Sequence, residues 1–143
     1  MKFLIVDDSV TVRRIIINAL ERIGYFDAAE AGDGQEALGA FDASIDFIIA
    51  NRNTPMMGGL EFARAVRTNP LGQPVPILYV TGRRSELMAA VEAGVNNYIL
   101  KPFTPSVLKE KIDRMMAAPS SVGAEGFRRD TIAMTAATWW PVS

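Results

Sequence analysis

Cysteine and histidine are both absent from this chain of 143 residues. The lack of cysteine excludes disulfide scaffolds, thiolate zinc sites and cysteine nucleophiles. The lack of histidine removes the commonest general base and excludes a Ser-His-Asp hydrolase or a phosphohistidine donor. Any chemistry therefore depends on carboxylates, amides, hydroxyls and the cationic side chains of lysine and arginine.

The chain also has almost no net charge, because 15 lysines and arginines face 16 aspartates and glutamates. No strong overall field favours a nucleic acid or an anionic membrane. Long apolar runs are lacking too. The first run, in MKFLIVDD, ends at two aspartates and is too short for a signal peptide, and no stretch is long enough to span a membrane. We expect a cytoplasmic protein with no nucleic-acid or membrane partner.

Five short segments rich in β-branched and aromatic residues alternate with five segments of helical apolar spacing. The predicted strands are residues 3–6, 26–30, 47–50, 77–80 and 98–100, and the predicted helices are residues 12–23, 35–41, 59–66, 85–93 and 105–116. Three of the strands are apolar without alternation, which is typical of strands covered by helices on both faces. The second strand is weaker and is expected near an edge. The alternation predicts a doubly wound α/β fold with a five-stranded parallel sheet.

The length suits one domain of about 100 to 200 residues with at most an appendage. We expect a domain over residues 1–117 and a C-terminal extension over residues 118–143. The extension begins with the linker-like PSSVGAEG and ends near Trp139 and Trp140. Exposed tandem tryptophans are costly, so we expect these rings to pack on the domain itself or in a dimer, in preference to a partner groove. A disordered extension under little selection is the alternative.

Polar residues follow most of the predicted strands. Because the carboxyl ends of parallel strands meet at one edge, where such sheets bind ligands, we expect these residues to converge. Asp7 and Asp8 repel each other unless a cation lies between them, and oxygen ligands of this kind suit magnesium. Lys101 can pair with a carboxylate or a phosphoryl oxygen, and the Thr81 hydroxyl can donate to that same oxygen. The pattern indicates a magnesium-assisted phosphoryl site.

The segments KFLIVDDS, NRNTPMMGG, VTG and YILKPF resemble the receiver domain of two-component response regulators. The opening VDDSVTVRRII is most similar to stand-alone chemotaxis receivers of the CheY type. The resemblance covers roughly residues 1–116 and implies a flavodoxin-like (βα)5 fold with strand order 2-1-3-4-5. It also implies a signalling protein, not a classical enzyme, whose partners are a sensor histidine kinase and an output protein such as a motor or other chemotaxis component.

The resemblance implies roles for individual residues. Asp7 and Asp8 would hold magnesium together with position 51 and the main-chain carbonyl of Asn53.

The resemblance also implies roles for three residues in a conformational switch and in phosphoryl binding. Thr81 would be the switch hydroxyl and Tyr98 the switch ring, on a partner-binding surface formed with the fourth and fifth helices. Lys101 would contact the phosphoryl group, and the Lys101–Pro102 bond would be cis, which X-Pro bonds reach at low cost.

Asn51 departs from the family, which has the phosphoacceptor aspartate at this position. A neutral carboxamide should not accept a phosphoryl group, because its nitrogen lone pair is delocalised into the carbonyl. One formal charge is also lost, so we expect magnesium to bind at least about tenfold more weakly than to an Asn51→Asp variant. Phosphoacceptance and autodephosphorylation should both be blocked.

Two explanations of Asn51 stay open: an engineered block in an ordinary receiver, or the natural residue of a degenerate receiver. The degenerate receiver would act as an adaptor that does not depend on phosphorylation. A flavodoxin-type cofactor binder is disfavoured, because VDDSVT places two negative charges where a cofactor phosphate would lie.

Simpler structural roles are the alternatives for single residues. Asp7 and Asp8 could cap the first helix, the Lys101–Pro102 pair could form an ordinary turn, and Tyr98 could be half-buried packing.

Overall fold

The computed structural model describes residues 1–51 and 56–117. In this part of the chain, five strands form one sheet in the order β2-β1-β3-β4-β5, and every neighbouring pair is parallel. This arrangement confirms the predicted flavodoxin-like α/β fold, with β2 and β5 at the edges. The strands are β1 (Lys2–Val6), β2 (Asp27–Ala31), β3 (Phe47–Asn51), β4 (Ile77–Thr81) and β5 (Asn97–Leu100).

In the described part of the chain, five α-helices cover the two faces of the sheet. Successive strand residues point to opposite sides, and both sets are apolar. In β1, Phe3 and Ile5 pack in one core cluster, and Leu4 and Val6 pack in the other. The first cluster includes buried residues of α1 and α5, and the second includes buried residues of α2, α3 and α4. The helices are α1 (Val10–Arg22), α2 (Gly34–Ala40), α3 (Gly59–Thr68), α4 (Leu87–Ala93) and α5 (Pro105–Ala117). No helix among the described residues is long and apolar enough to cross a membrane.

Short polar residues set where the first two helices begin. Ser9 is the N-cap of α1, and its hydroxyl accepts a hydrogen bond of 3.2 Å from the Val12 amide. Asp33 caps α2 and accepts a hydrogen bond of 2.8 Å from the Glu36 amide. Each cap satisfies an amide that lacks a partner within its own helix. The cap of α1 is therefore Ser9, and Asp7 and Asp8 precede it.

Each expected element differs from the structure by one or two residues at one end or both, and two of these differences have a structural cause. Residues 84–86 form a separate 3-10 helix (Arg84–Glu86) before α4, so the fourth α-helix is shorter than its apolar pattern indicated. Phe26 lies just before β2 and is 77% exposed, although its aromatic ring favoured a place in the strand. Strand pairing begins at Asp27, opposite Lys2. Sequence propensity alone does not predict where pairing with a neighbouring strand begins.

The strand register places four chain segments at one edge of the sheet. Val6 lies opposite Ala50, so Asp7 follows β1 at the level of Asn51. Asn51 lies opposite Val80, one residue before Thr81. The Lys101 amide donates to the Thr81 carbonyl over 2.9 Å. The carboxyl ends of β1, β3, β4 and β5 therefore meet.

Candidate functional site

The carboxylate of Asp7, directly after β1, is buried at this edge. Asp7 is 1% exposed, whereas Asp8 is exposed. Asp7 Oδ1 accepts a hydrogen bond of 2.8 Å from the Ser9 amide. Asp7 Oδ2 is buried and has no hydrogen-bond partner among the described residues. A buried acceptor of this kind costs free energy unless another group satisfies it, and a cation is one such group.

Burial raises the pKa of the Asp7 carboxyl to about 6. Burial is the largest cause, because removal from water disfavours the ionised form. The negative charge of Asp8 also raises this pKa, whereas the Ser9 amide and the ammonium group of Lys101 lower it. Asp7, Asp8 and Lys101 are therefore close enough to interact electrostatically, as expected from the strand ends.

Asn51 ends β3 and is 7% exposed. Its neighbours in β3 are fully buried apolar residues, so the packing of the core fixes the backbone at Asn51. The carboxamide brings oxygen and nitrogen atoms to the site but no formal charge. Within residues 1–51 and 56–117, no group of three or more acidic side chains is arranged to hold a metal ion.

Thr81 ends β4 and is 1% exposed. Its hydroxyl oxygen accepts a hydrogen bond of 3.2 Å from the Arg83 amide. Lys101 follows β5 and is partly exposed, and the Lys101–Pro102 bond is cis. The hydroxyl and the ammonium group thus come from adjacent strands, joined by the main-chain hydrogen bond between Lys101 and Thr81.

Tyr98 lies in β5 and is 1% exposed, so its ring is fully rather than half buried. It packs in the cluster that includes α3 and α4. The ammonium group of Lys111, in α5, lies 4.6 Å from the centroid of this ring. Sequence reasoning did not single out Lys111. The signal was present, because Lys111 lies four residues from both Val107 and Met115, in the buried stripe of α5.

Sequence reasoning also missed Arg13, which supports the segment that carries Asp7. Arg13 Nη1 donates to the main-chain carbonyl of Asp7 over 2.5 Å, and its Nε forms an ion pair of 3.0 Å with Glu30. The Arg13 side chain is 14% exposed. Arg13 therefore connects α1 and β2 to the segment that carries Asp7.

Gly34 anchors the segment that follows β3. Its amide donates to the Met57 carbonyl over 3.0 Å, and a Cβ at this position would lie 2.7 Å from that oxygen. Any larger residue would push the segment away from α2. Asn53 and the Trp139–Trp140 pair lie outside the described residues.

The donor atoms of this edge fit a magnesium ion. The buried, unsatisfied Asp7 Oδ2 and the neighbouring Asp8 carboxylate are hard oxygen ligands. Magnesium favours such ligands, takes few of them from the protein and retains several waters.

A sequence profile of the response regulator receiver domain matches residues 3–113. The chain therefore belongs to the receiver domains of response regulators, which are magnesium-binding signalling proteins of two-component pathways and not classical enzymes. It is 49% identical over 117 residues to the chemotaxis protein CheY1 of Helicobacter pylori, covering 79% of this chain and 94% of that protein.

Solved structures agree with this family. The chemotaxis response regulator CheY4 of Vibrio cholerae is 36% identical, with a TM-score of 0.73 and coverage of 79% of this chain and 96% of that one. A receiver domain of a Pseudomonas aeruginosa sensor histidine kinase, with magnesium coordinated in its active-site cleft, is 26% identical, with a TM-score of 0.71. That match covers 79% of this chain and 94% of the other.

Proposed function

We propose that this chain is a stand-alone receiver in a chemotaxis-like two-component pathway, which signals by binding a partner protein and carries Asn51 at the phosphoacceptor position. The observation that carries the proposal is the place of Asn51. It ends β3 next to the buried Asp7, and it pairs across the sheet with the residue before Thr81. A carboxylate there would face the acidic pair, the threonine hydroxyl and Lys101.

The carboxamide of Asn51 blocks the reaction that this arrangement suits. Phosphoryl transfer to the chain needs an ionised oxygen nucleophile, and the amide has none. Lys101 and Thr81 would contact the oxygens of an incoming phosphoryl group, but no covalent bond would form to position 51. The receiver would neither store a phosphoryl group nor hydrolyse one.

Asp7, Asp8, the Asn51 side-chain oxygen and the Asn53 carbonyl would hold magnesium, more weakly than in an aspartate version. Bound magnesium would supply positive charge that neutralises phosphoryl oxygens. The unsatisfied Asp7 Oδ2 supports this ligand set. The loss of the carboxylate at position 51 is the physical reason for weaker binding.

The proposed partners are a sensor histidine kinase and an output protein, such as a motor or other chemotaxis component. The output protein would bind the surface formed by α4, β5 and α5, which carries Tyr98. We propose that residues 1–117 are the receiver domain, that residues 118–143 are an extension able to support a dimer, and that the protein acts in the cytoplasm.

The test of the blocked site is incubation with a small-molecule phosphodonor and magnesium, followed by intact-mass measurement. We expect one added phosphoryl group on the Asn51→Asp variant and none on the parent chain. An Asn18→Asp variant, which adds the same charge on the exposed part of α1, is the matched control and should stay unmodified. Failure of Asn51→Asp to gain mass would contradict the proposal.

A second candidate function is a phosphorylation-independent adaptor. The burial of Tyr98 favours it, because the ring already lies inward in a chain whose Asn51 cannot be phosphorylated. The two functions predict different partner binding by the Asn51→Asp variant after treatment with phosphodonor. An adaptor should bind its partner equally in all states, whereas a blocked receiver should bind more tightly once the variant is phosphorylated.

A further inference from the structure

The buried Lys111 lies over the ring of Tyr98. Lys111 is 3% exposed, and its Nζ is 4.6 Å from the ring centroid of Tyr98, which is itself 1% exposed. Lysine is rarely buried to this degree, because its ammonium group is strongly hydrated in water. The negative face of an aromatic ring offsets part of this cost, and the attraction is strongest where water is excluded.

Lys111 occupies a core-facing position of α5, where an aliphatic residue would be the usual choice. Val107, Lys111 and Met115 recur at intervals of four residues on the buried side of the helix. An aliphatic residue at position 111 would satisfy that helix pattern without the cost of burying a charge. By contrast, Lys109 lies on the opposite, exposed side and pairs with Asp113 over 2.5 Å.

The contact joins the two layers of the fold around the open edge of the sheet. Tyr98 belongs to the cluster with α3 and α4, whereas α5 packs in the other cluster. Because β5 is an edge strand, no further strand separates Tyr98 from a helix of the opposite layer. A ring that turned outward from this site would have to give up its contact with the ammonium group.

We propose that Lys111 is the positioning residue that keeps Tyr98 buried, so that the surface formed by α4, β5 and α5 stays in one state whatever occupies the site at position 51. The inference rests on the proposed function in one respect, namely that Tyr98 is the switch ring of that surface. It supports the adaptor over the switching receiver, because the surface would then bind its partner equally with and without a phosphoryl group at position 51. The burial of Tyr98 then depends on a residue of α5.

The test uses the full chain labelled with 3-fluorotyrosine and fluorine NMR. The Tyr98 signal is assigned by its loss in Tyr98→Phe. Lys111→Met removes the charge and keeps the length of the side chain, and Lys111→Arg keeps a cation. Lys109→Met, on the exposed side of the same helix, is the matched control. Lys111→Gln is a second neutral variant, to be used if circular dichroism shows that Lys111→Met is unfolded.

We expect the ratio of buried to exposed Tyr98 to fall roughly tenfold in Lys111→Met, which corresponds to about 1.4 kcal/mol. Lys111→Arg and Lys109→Met should keep the parent signal. A Tyr98 signal that is the same in the folded neutral variants as in the parent would overturn the inference. A change in Lys109→Met as large as in Lys111→Met would also overturn it, since the effect would then not be specific to position 111.

A second arm separates this inference from the proposed function. Asn51→Asp and Asn51→Asp with Lys111→Met are each treated with phosphodonor and magnesium. With Lys111 present, phosphorylation should leave the Tyr98 signal nearly unchanged, whereas the double variant should move toward the buried signal. A large phosphorylation-dependent movement with Lys111 present would overturn the inference. An absence of mass gain would refute the proposed function alone, because the first arm needs no phosphorylation.

Discussion

The guanidinium of Arg13 donates a hydrogen bond of 2.5 Å to the main-chain carbonyl of Asp7. The same side chain forms an ion pair with Glu30 in β2. One residue of α1 therefore holds both the end of β1 and a neighbouring strand. Arg13 therefore supports the main chain at Asp7, whereas the Ser9 amide donates to the carboxylate itself.

Arg13→Met should destabilise the protein by about 1–3 kcal/mol, because it leaves a carbonyl and a carboxylate without a charged hydrogen-bond partner. Urea denaturation followed by circular dichroism measures this change. Arg14→Met is the matched control, since Arg14 lies next to it in α1 and is exposed. Equal midpoints for Arg13→Met and the parent would show that the contact contributes nothing.

The raised pKa of Asp7 predicts how stability depends on pH in the absence of metal. The folded protein binds the Asp7 proton more tightly than the unfolded chain, since the pKa is about 6 in the fold and 3.8 without it. Stability from this group is therefore complete below about pH 4 and declines until about pH 6. About two pKa units correspond to a loss of up to about 3 kcal/mol.

Asp7→Asn should remove that decline and be more stable than the parent at pH 7 in the presence of a chelator. Thermal unfolding from pH 4 to pH 8, with and without a chelator, measures both proteins. Asp27→Asn, at an exposed position, is the control. If the parent and Asp7→Asn had the same pH profile, the carboxyl of Asp7 would not be perturbed in the fold.

Asn51→Asp should bind magnesium at least about tenfold more tightly than the parent, which corresponds to about 1.4 kcal/mol. The added carboxylate would interact with the cation over a short distance at a buried position, with hydration offsetting much of the gain. Isothermal titration calorimetry at neutral pH gives both affinities. Asn18→Asp controls for net charge, and indistinguishable affinities for Asn51→Asp and the parent would contradict the ligand set.

Arg67, which lies away from the candidate site, is expected to contribute strongly to the stability of the fold. Its guanidinium donates to the carbonyls of Gly72, Val75 and Gly94 and to the side-chain oxygen of Asn96, at 2.6–2.8 Å. The Asn96 oxygen also accepts from the amide of Ile77 at the start of β4.

We expect Arg67→Met to destabilise the protein by about 3–5 kcal/mol, because several part-buried acceptors lose a charged donor together. Arg64→Met, one turn earlier on the exposed side of α3, should cost about 0.5 kcal/mol or less. Chemical denaturation of the two variants gives the comparison. A loss for Arg67→Met no larger than for Arg64→Met would mean that the carbonyls find other donors.

The fold followed from local pattern because parallel strands and their helices have strong signals. The apolar runs of β1, β3 and β4 and the helical spacing of α1 were sufficient to predict a parallel sheet between layers of helices, whereas the strand order came from the resemblance to receiver domains. Bounds were less predictable at residues 84–86 and at Phe26, where the start of strand pairing or of the helix depends on neighbours. The register of the sheet then brought Asp7, Asn51 and Thr81 to one edge.

The sequence alone determined which chemical groups reach the carboxyl edge of the sheet and that position 51 carries an amide, because both follow from the order of strands and residues along the chain. Only the tertiary structure decided which of those groups are buried and what supports them. Lys111 and Arg13 are both cations of amphipathic helices, yet one lies over Tyr98 and the other binds the Asp7 carbonyl. Local spacing places Lys111 in the buried stripe of α5, but the partners that a side chain meets across layers depend on the packing of distant segments.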